Sequence, residues 1–129
     1  MKYMVMMHAG ANATEELASW SQDDVKHMIG YMRDFNAELA EAGEFVDGQG
    51  LAFPEDAKFV RVRPDGEVTV TDGPFAEAKE FLMGFWILDV VSEERVIELA
   101  KRISLAPGKG GEPVHQEVEI RPIGEEPPV

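Results

Sequence analysis

The residues best suited to chemistry fall in one short stretch near the middle of the chain: Thr71, Asp72, Gly73, Pro74, Phe75, Ala76, Glu77, Ala78, Lys79 and Glu80. A carboxylate beside a glycine, a proline and an aromatic ring can act as a general acid/base. Asp72 would exchange a proton with a molecule held in a neighbouring cleft, with Lys79 as a nearby counter-charge. Gly73, Pro74, Phe75 and Lys79 are then candidate substrate contacts, and so is Trp86 further on, which with Phe85 could line a pocket. The same residues also spell a plain capped turn. Gly73 precedes proline and is pushed towards extended backbone; Pro74 can open a helical turn that sends Phe75 inward; Asp72 can accept from its free N–H groups. Both readings stand on the residues alone.

Histidine is the other group to place, and the chain has three. His8 ends the first predicted strand, where a residue can reach a cleft. His27 lies off the apolar stripe of a predicted helix, four residues after Asp23, and His115 lies on the polar side of the last predicted strand. Surface roles suit both. None of the three has HxH or HxxxH spacing, so no metal site is expected. With no cysteine, disulfides, thiolate catalysis and Cys-based metal sites are excluded. No cofactor is expected: there is no nucleophile elbow, P-loop or dinucleotide fingerprint, and Gly108-Lys109-Gly110-Gly111 follows a predicted helix instead of opening one.

The elements that must position these groups follow from periodicity. Residues 2–8 and 81–91 read as strands apolar on both faces, as buried central strands are. Ser21 with Asp24 gives a capping-box start to a helix whose stripe runs Val25, Met28, Ile29, Met32, Phe35, Asn36 and Leu39 before Gly43 stops it. Residues 45–53 form a strand interrupted by Gly48 and Gly50, which suggests a bulge or close backbone approach. Val60 and Val62 alternate with arginines, Val68 and Val70 with Glu67 and threonines, and Pro64-Asp65-Gly66 between them makes a hairpin with one wet face. Ser92 caps a second helix with Val96, Ile97, Leu99, Ala100 and Ile103 as its apolar side; residues 104–112, rich in glycine and proline, read as a mobile loop. A last strand alternates Val114, Gln116, Val118 and Ile120 with polar residues, and residues 124–129 make a flexible acidic and proline tail.

Without the hairpin the order is βαββαβ, the split arrangement of ferredoxin-like α+β domains, in which the first and third strands are central. Both helices of that fold cover one face of the sheet. The other face would show Met4, Met6 and part of the 85–88 run to water, so a homodimer packed sheet to sheet is expected.

A length of 129 residues with 44% apolar content suits one domain. The net charge of -13 repels phosphate backbones and anionic membranes, so neither nucleic acid nor membrane is an expected partner. The short apolar start does not make a signal region, and no apolar run reaches membrane-span length. A soluble, cytoplasmic protein is expected.

The run VTDGPFAEAKEFLMGFWILDV resembles the signature of the YCII-related superfamily in its DGPF branch, where the motif reads close to DGPFAETKE; here Ala78 replaces the usual threonine. The likeness extends through residues 35–39, Ala42-Gly43, residues 48–51 and residues 119–122, covering about residues 1–123 as one YCII-related/DGPF domain. It implies a ferredoxin-like fold with an inserted hairpin, of the dimeric α/β-barrel type. It also implies a His/Asp pair of the kind proposed as an active site in YCII-like relatives; only the aspartate transfers directly, to Asp72, with His8 the candidate histidine. Three functions follow as expectations: a small-molecule binder or enzyme using Asp72 in a cleft; a regulatory protein linked to an extracytoplasmic-function sigma factor, since DGPF members are often encoded beside one; or a structural dimer without catalysis.

Overall fold

A computed structural model describes residues 1–73 and 80–128. The strands are β1 (Lys2–Ala9), β2 (Phe45–Gly50), β3 (Lys58–Val62), β4 (Val68–Asp72), β5 (Phe81–Asp89) and β6 (Val118–Pro122). The helices are α1 (Ala13–Ala18), α2 (Gln22–Glu41) and α3 (Glu93–Ser104). Four strands form one antiparallel sheet in the order β2-β5-β1-β6, and β3-β4 form a separate hairpin. The two strands with apolar residues on both faces, β1 and β5, are the central pair of the sheet. This α+β arrangement is compatible with a ferredoxin-like fold.

The face carrying Tyr3, Val5, Trp86 and Leu88 packs with Phe35 and Leu39 of α2 and Val96, Leu99 and Ile103 of α3 into one core. Trp86 meets Phe35 edge-on at 6.1 Å between ring centres, and its indole N–H donates to Asn36 Oδ1 at 2.8 Å. A buried indole needs such a partner, and the half-buried Asn36 on the helix stripe supplies it. The opposite face carries Met4 paired with Ile87 and Met6 paired with Phe85.

Local chemistry explains the helix ends. The Ser21 hydroxyl accepts from the Asp24 N–H while the Asp24 carboxylate accepts from the Ser21 N–H, both at 3.0 Å. Gly43, at φ 74°, ends α2, and Ser92 caps α3. Glu44 then accepts two bonds from the Arg95 guanidinium at 2.9 Å, tying the start of β2 to α3. That forked bond holds the Glu44 carboxyl below its usual range and Arg95 above its own.

Four expectations change. Residues 13–18, read with no element of their own, form α1. The 104–112 segment is tied down instead of mobile: Ala106, Pro107 and Gly108 are buried, Val114 N–H donates to Ala106 O at 2.9 Å, and Gly110 N–H donates to Asp24 at 3.1 Å. The last strand starts at Val118, since His115 takes φ 56° and breaks the alternation. The hairpin forms as expected, with Val60 opposite Val70 and Val62 opposite Val68, but its valine side is open: Val60, Val62, Val68 and Val70 are 57–66% exposed. Alternation sorts residues between faces without supplying a cover for either.

Candidate functional site

His8 stands where β1 meets a bulge. Met7 pairs with Gly84 and His8 with Leu82, so Met83 is the extra residue on β5. A bulge turns the strand locally and re-aims the side chain beside it. The neighbouring β6 then completes the setting, because Met7 faces Val118 and Met6 faces Glu119. His8 Nε2 lies 2.9 Å from Glu119 Oε1, and the Gln116 side-chain amide donates to His8 O at 2.6 Å. A carboxylate can only accept, so Nε2 carries the hydrogen and Nδ1 of a neutral ring is left as an acceptor.

His8 borders two hollows. A cavity of about 390 Å³ lies at this end of the core, between β1, α1, α2 and the 104–114 segment. Its wall is mainly apolar: Met7, Met28, Met32 and Met83 from the sheet and α2, with Trp20 and Phe53. Four of the seven methionines thus meet in one place. Methionine is flexible and polarisable, so such a wall adapts to a flat or irregular guest. The polar members are His8, Glu16 and Gln116. A second hollow of about 210 Å³ is polar and acidic, bordered by His8, Gln116, Glu80, Glu117 and Glu119.

The cavity wall shows two signs of constraint. His115 is the one non-glycine residue at positive φ among the described residues, and it sits between the lining residues Val114 and Gln116. Backbone in that region costs energy for a side-chain-bearing residue and gathers at working sites. At Gly108 an added Cβ would lie 2.7 Å from Val114 Cγ2 and 3.3 Å from Trp20. Only glycine lets Trp20 and Val114 close over the segment at this spacing. The Asp24 carboxyl is held below its usual range, first by the Ser21 N–H and further by the Gly110 N–H, which links this segment to the start of α2.

Asp72 is placed elsewhere. It ends β4 with its side chain 73% exposed and forms an ion pair with Lys58, its register partner across the hairpin. His8 therefore has Glu119 as its carboxylate partner, and Asp72 has a lysine. Gly73 is packed tightly: its N–H donates to Ala57 O at 2.8 Å, and a Cβ there would come 2.8 Å from Pro54 O. Pro74, Phe75 and Lys79, and any helical turn that Asp72 would cap, lie outside the described residues. Trp86 is 6% exposed within the core and is not part of the cavity wall. His27 is exposed on α2, and His115 is exposed as expected. Among the described residues no three His, Asp or Glu side chains gather in a way that could hold a metal ion.

Glu119, Gln116 and Glu16 were not candidates from the sequence. The ferredoxin-like strand order held a usable signal, since it sets the last strand against the first and so runs residues 116–119 beside residues 6–8.

Among the described residues, no helix is long and apolar enough to cross a membrane. A family model for the YCII-related domain matches residues 1–122. An uncharacterized protein of Rhizobium meliloti (strain 1021) is 31% identical over 126 residues, 95% of this chain and 92% of the relative. The match runs from β1 through β6, so sheet, hairpin and cavity all fall within it: the chain belongs to the YCII-related domain family.

Proposed function

We propose that this protein binds a small organic molecule in the cavity beside His8, with His8 as the proton-accepting group of the site. The observation that carries the reading is a sizeable, mainly apolar hollow that has His8 in its wall, with the His8 ring held by Glu119 at the adjoining acidic hollow. Small-molecule sites combine those two features, an apolar wall and a few fixed polar groups. The Glu119 carboxylate orients the ring and leaves Nδ1 of the neutral imidazole as the acceptor, which suits His8 to take a proton from a bound molecule. Asp72 remains a second acid/base candidate; it stands on an exposed hairpin end within one chain, so a shared site would draw on a second copy.

The test uses a neutral fluorescent probe, N-phenyl-1-naphthylamine. Its emission should rise on binding, and Leu17→Trp, which fills the cavity from α1, should abolish the rise while the circular dichroism spectrum stays unchanged. A rise of equal size in Leu17→Trp would contradict the reading.

A homodimer packed sheet to sheet belongs to the same proposal. Its support is the apolar face bearing Met4, Phe85 and Ile87, all half-buried, together with the open valines of the hairpin. Sedimentation at micromolar concentration should give a dimer. A stable monomer would count against it.

A further inference from the structure

Resting on the cavity reading above, we propose that its ligand is a small aromatic or alicyclic amine, with the apolar ring among the methionines and the ammonium beside Glu16. The wall fixes the ring end: methionine sulfurs and the faces of Trp20 and Phe53 make favourable contacts with a flat apolar body. The charged end follows from three observations. Glu16 is the one acidic side chain among the described lining residues, and it is exposed, which puts its charge at the water-facing part of the wall. Asn12 Nδ2 donates to Glu16 Oε1 at 3.1 Å, which holds the carboxylate in place from the preceding loop. No lysine or arginine lines the cavity among the described residues, so a carboxylate or phosphate ligand would find no described counter-charge there.

The whole molecule pulls the same way. A net charge of -13 attracts cations and repels anions before they reach the mouth. Trp20, also in the wall, is an aromatic residue of the kind that attracts an ammonium group. An amine keeps its charge at the solvent edge beside Glu16 and buries only its apolar part, so no ion has to be stripped of water inside the core.

Three probes with one ring and different charge test the class: 2-phenylethylamine, 2-phenylethanol and 3-phenylpropionate. Each is titrated by displacement of N-phenyl-1-naphthylamine, in wild type, Glu16→Gln and Glu15→Gln. Glu15 is the adjacent exposed acid outside the cavity wall. The amine should displace the probe at about fivefold lower concentration than the alcohol, the worth of one partly exposed charge pair. The propionate should be weakest. Glu16→Gln should reduce the amine advantage to about twofold, the remainder being the general field. Glu15→Gln should leave the advantage unchanged.

An alcohol or propionate that competes as well as the amine overturns the amine assignment while probe binding keeps the cavity reading intact. An amine preference that survives Glu16→Gln undiminished overturns the role of Glu16. Failure of the naphthylamine probe to bind wild-type protein removes the cavity reading and this inference together.

Discussion

Two parts of this molecule carry a carboxylate with a basic partner, and their settings differ. At the end of β1, Glu119 holds His8 beside a hollow walled by sheet, helices and a pinned segment. At the end of β4, Asp72 pairs with Lys58 on a hairpin whose valines and charges both face water. The first pair is fixed by a bulge, by β6 and by the Gln116 bond to His8 O. The second is set by hairpin register alone, and solvent screens it. A reactive group needs a place to hold the molecule it acts on. The hairpin bears a hollow of its own, about 660 Å³, but Lys58, Arg61, Arg63 and threonines line it and Asp72 does not; in the first region His8 itself is in the wall.

The comparison can be broken by substitutions, the largest effects coming from glycines. Gly73→Ala drives a Cβ against the Pro54 carbonyl, which is backbone and cannot swing aside. It should cost about 2–3 kcal/mol in denaturant unfolding. Gly108→Ala meets side chains of Val114 and Trp20 instead. It should cost about 1–2 kcal/mol and weaken naphthylamine binding. Equal losses with unchanged binding would mean that the Gly108 segment does not shape the cavity.

Next comes Glu44, away from both regions. Its folded pKa is depressed by Arg95, so its contribution is present above the ordinary carboxylate range and is lost as pH falls through the lowered value. Glu44→Gln should lose about 1–2 kcal/mol at neutral pH, and its deficit against wild type should shrink as the solution is acidified. Melting curves across acid pH check this.

The direct contrast is smaller in stability and sharper in binding. His8→Ala should weaken the probe several-fold, whereas Asp72→Asn should change neither affinity nor, beyond about 0.5 kcal/mol, stability. Matching losses of binding would join Asp72 to the site. Smallest of all, Val60→Thr with Val70→Thr should barely shift the unfolding midpoint of the isolated chain, since these side chains gain little burial in one copy.

Much of the scaffold was legible because it is written in local periodicity. The two-faced apolar strands identified the central pair, and Ser21, Asp24 and Gly43 fixed both ends of α2. His8 could be placed at a strand end for the same reason. Its partner could not: Glu119 is distant in sequence and reaches His8 only through β6 pairing and the one-residue shift at Met7 and His8. The 104–112 segment misled because glycine and proline report backbone freedom, while Pro107 and Gly108 are held by burial and hydrogen bonds. Gly73 illustrates the reverse case, a residue in a signature stretch whose described role is close packing against Pro54 and Ala57.

The central claim, that the hollow beside His8 and not the hairpin receives the ligand, is tested most directly by amide NMR with saturating N-phenyl-1-naphthylamine. Shifts should concentrate at Met7, His8, Ala9, Leu17, Trp20 and Gln116, with residues 58–72 unmoved. Shifts confined to residues 58–72, with His8 and Trp20 silent, would contradict it.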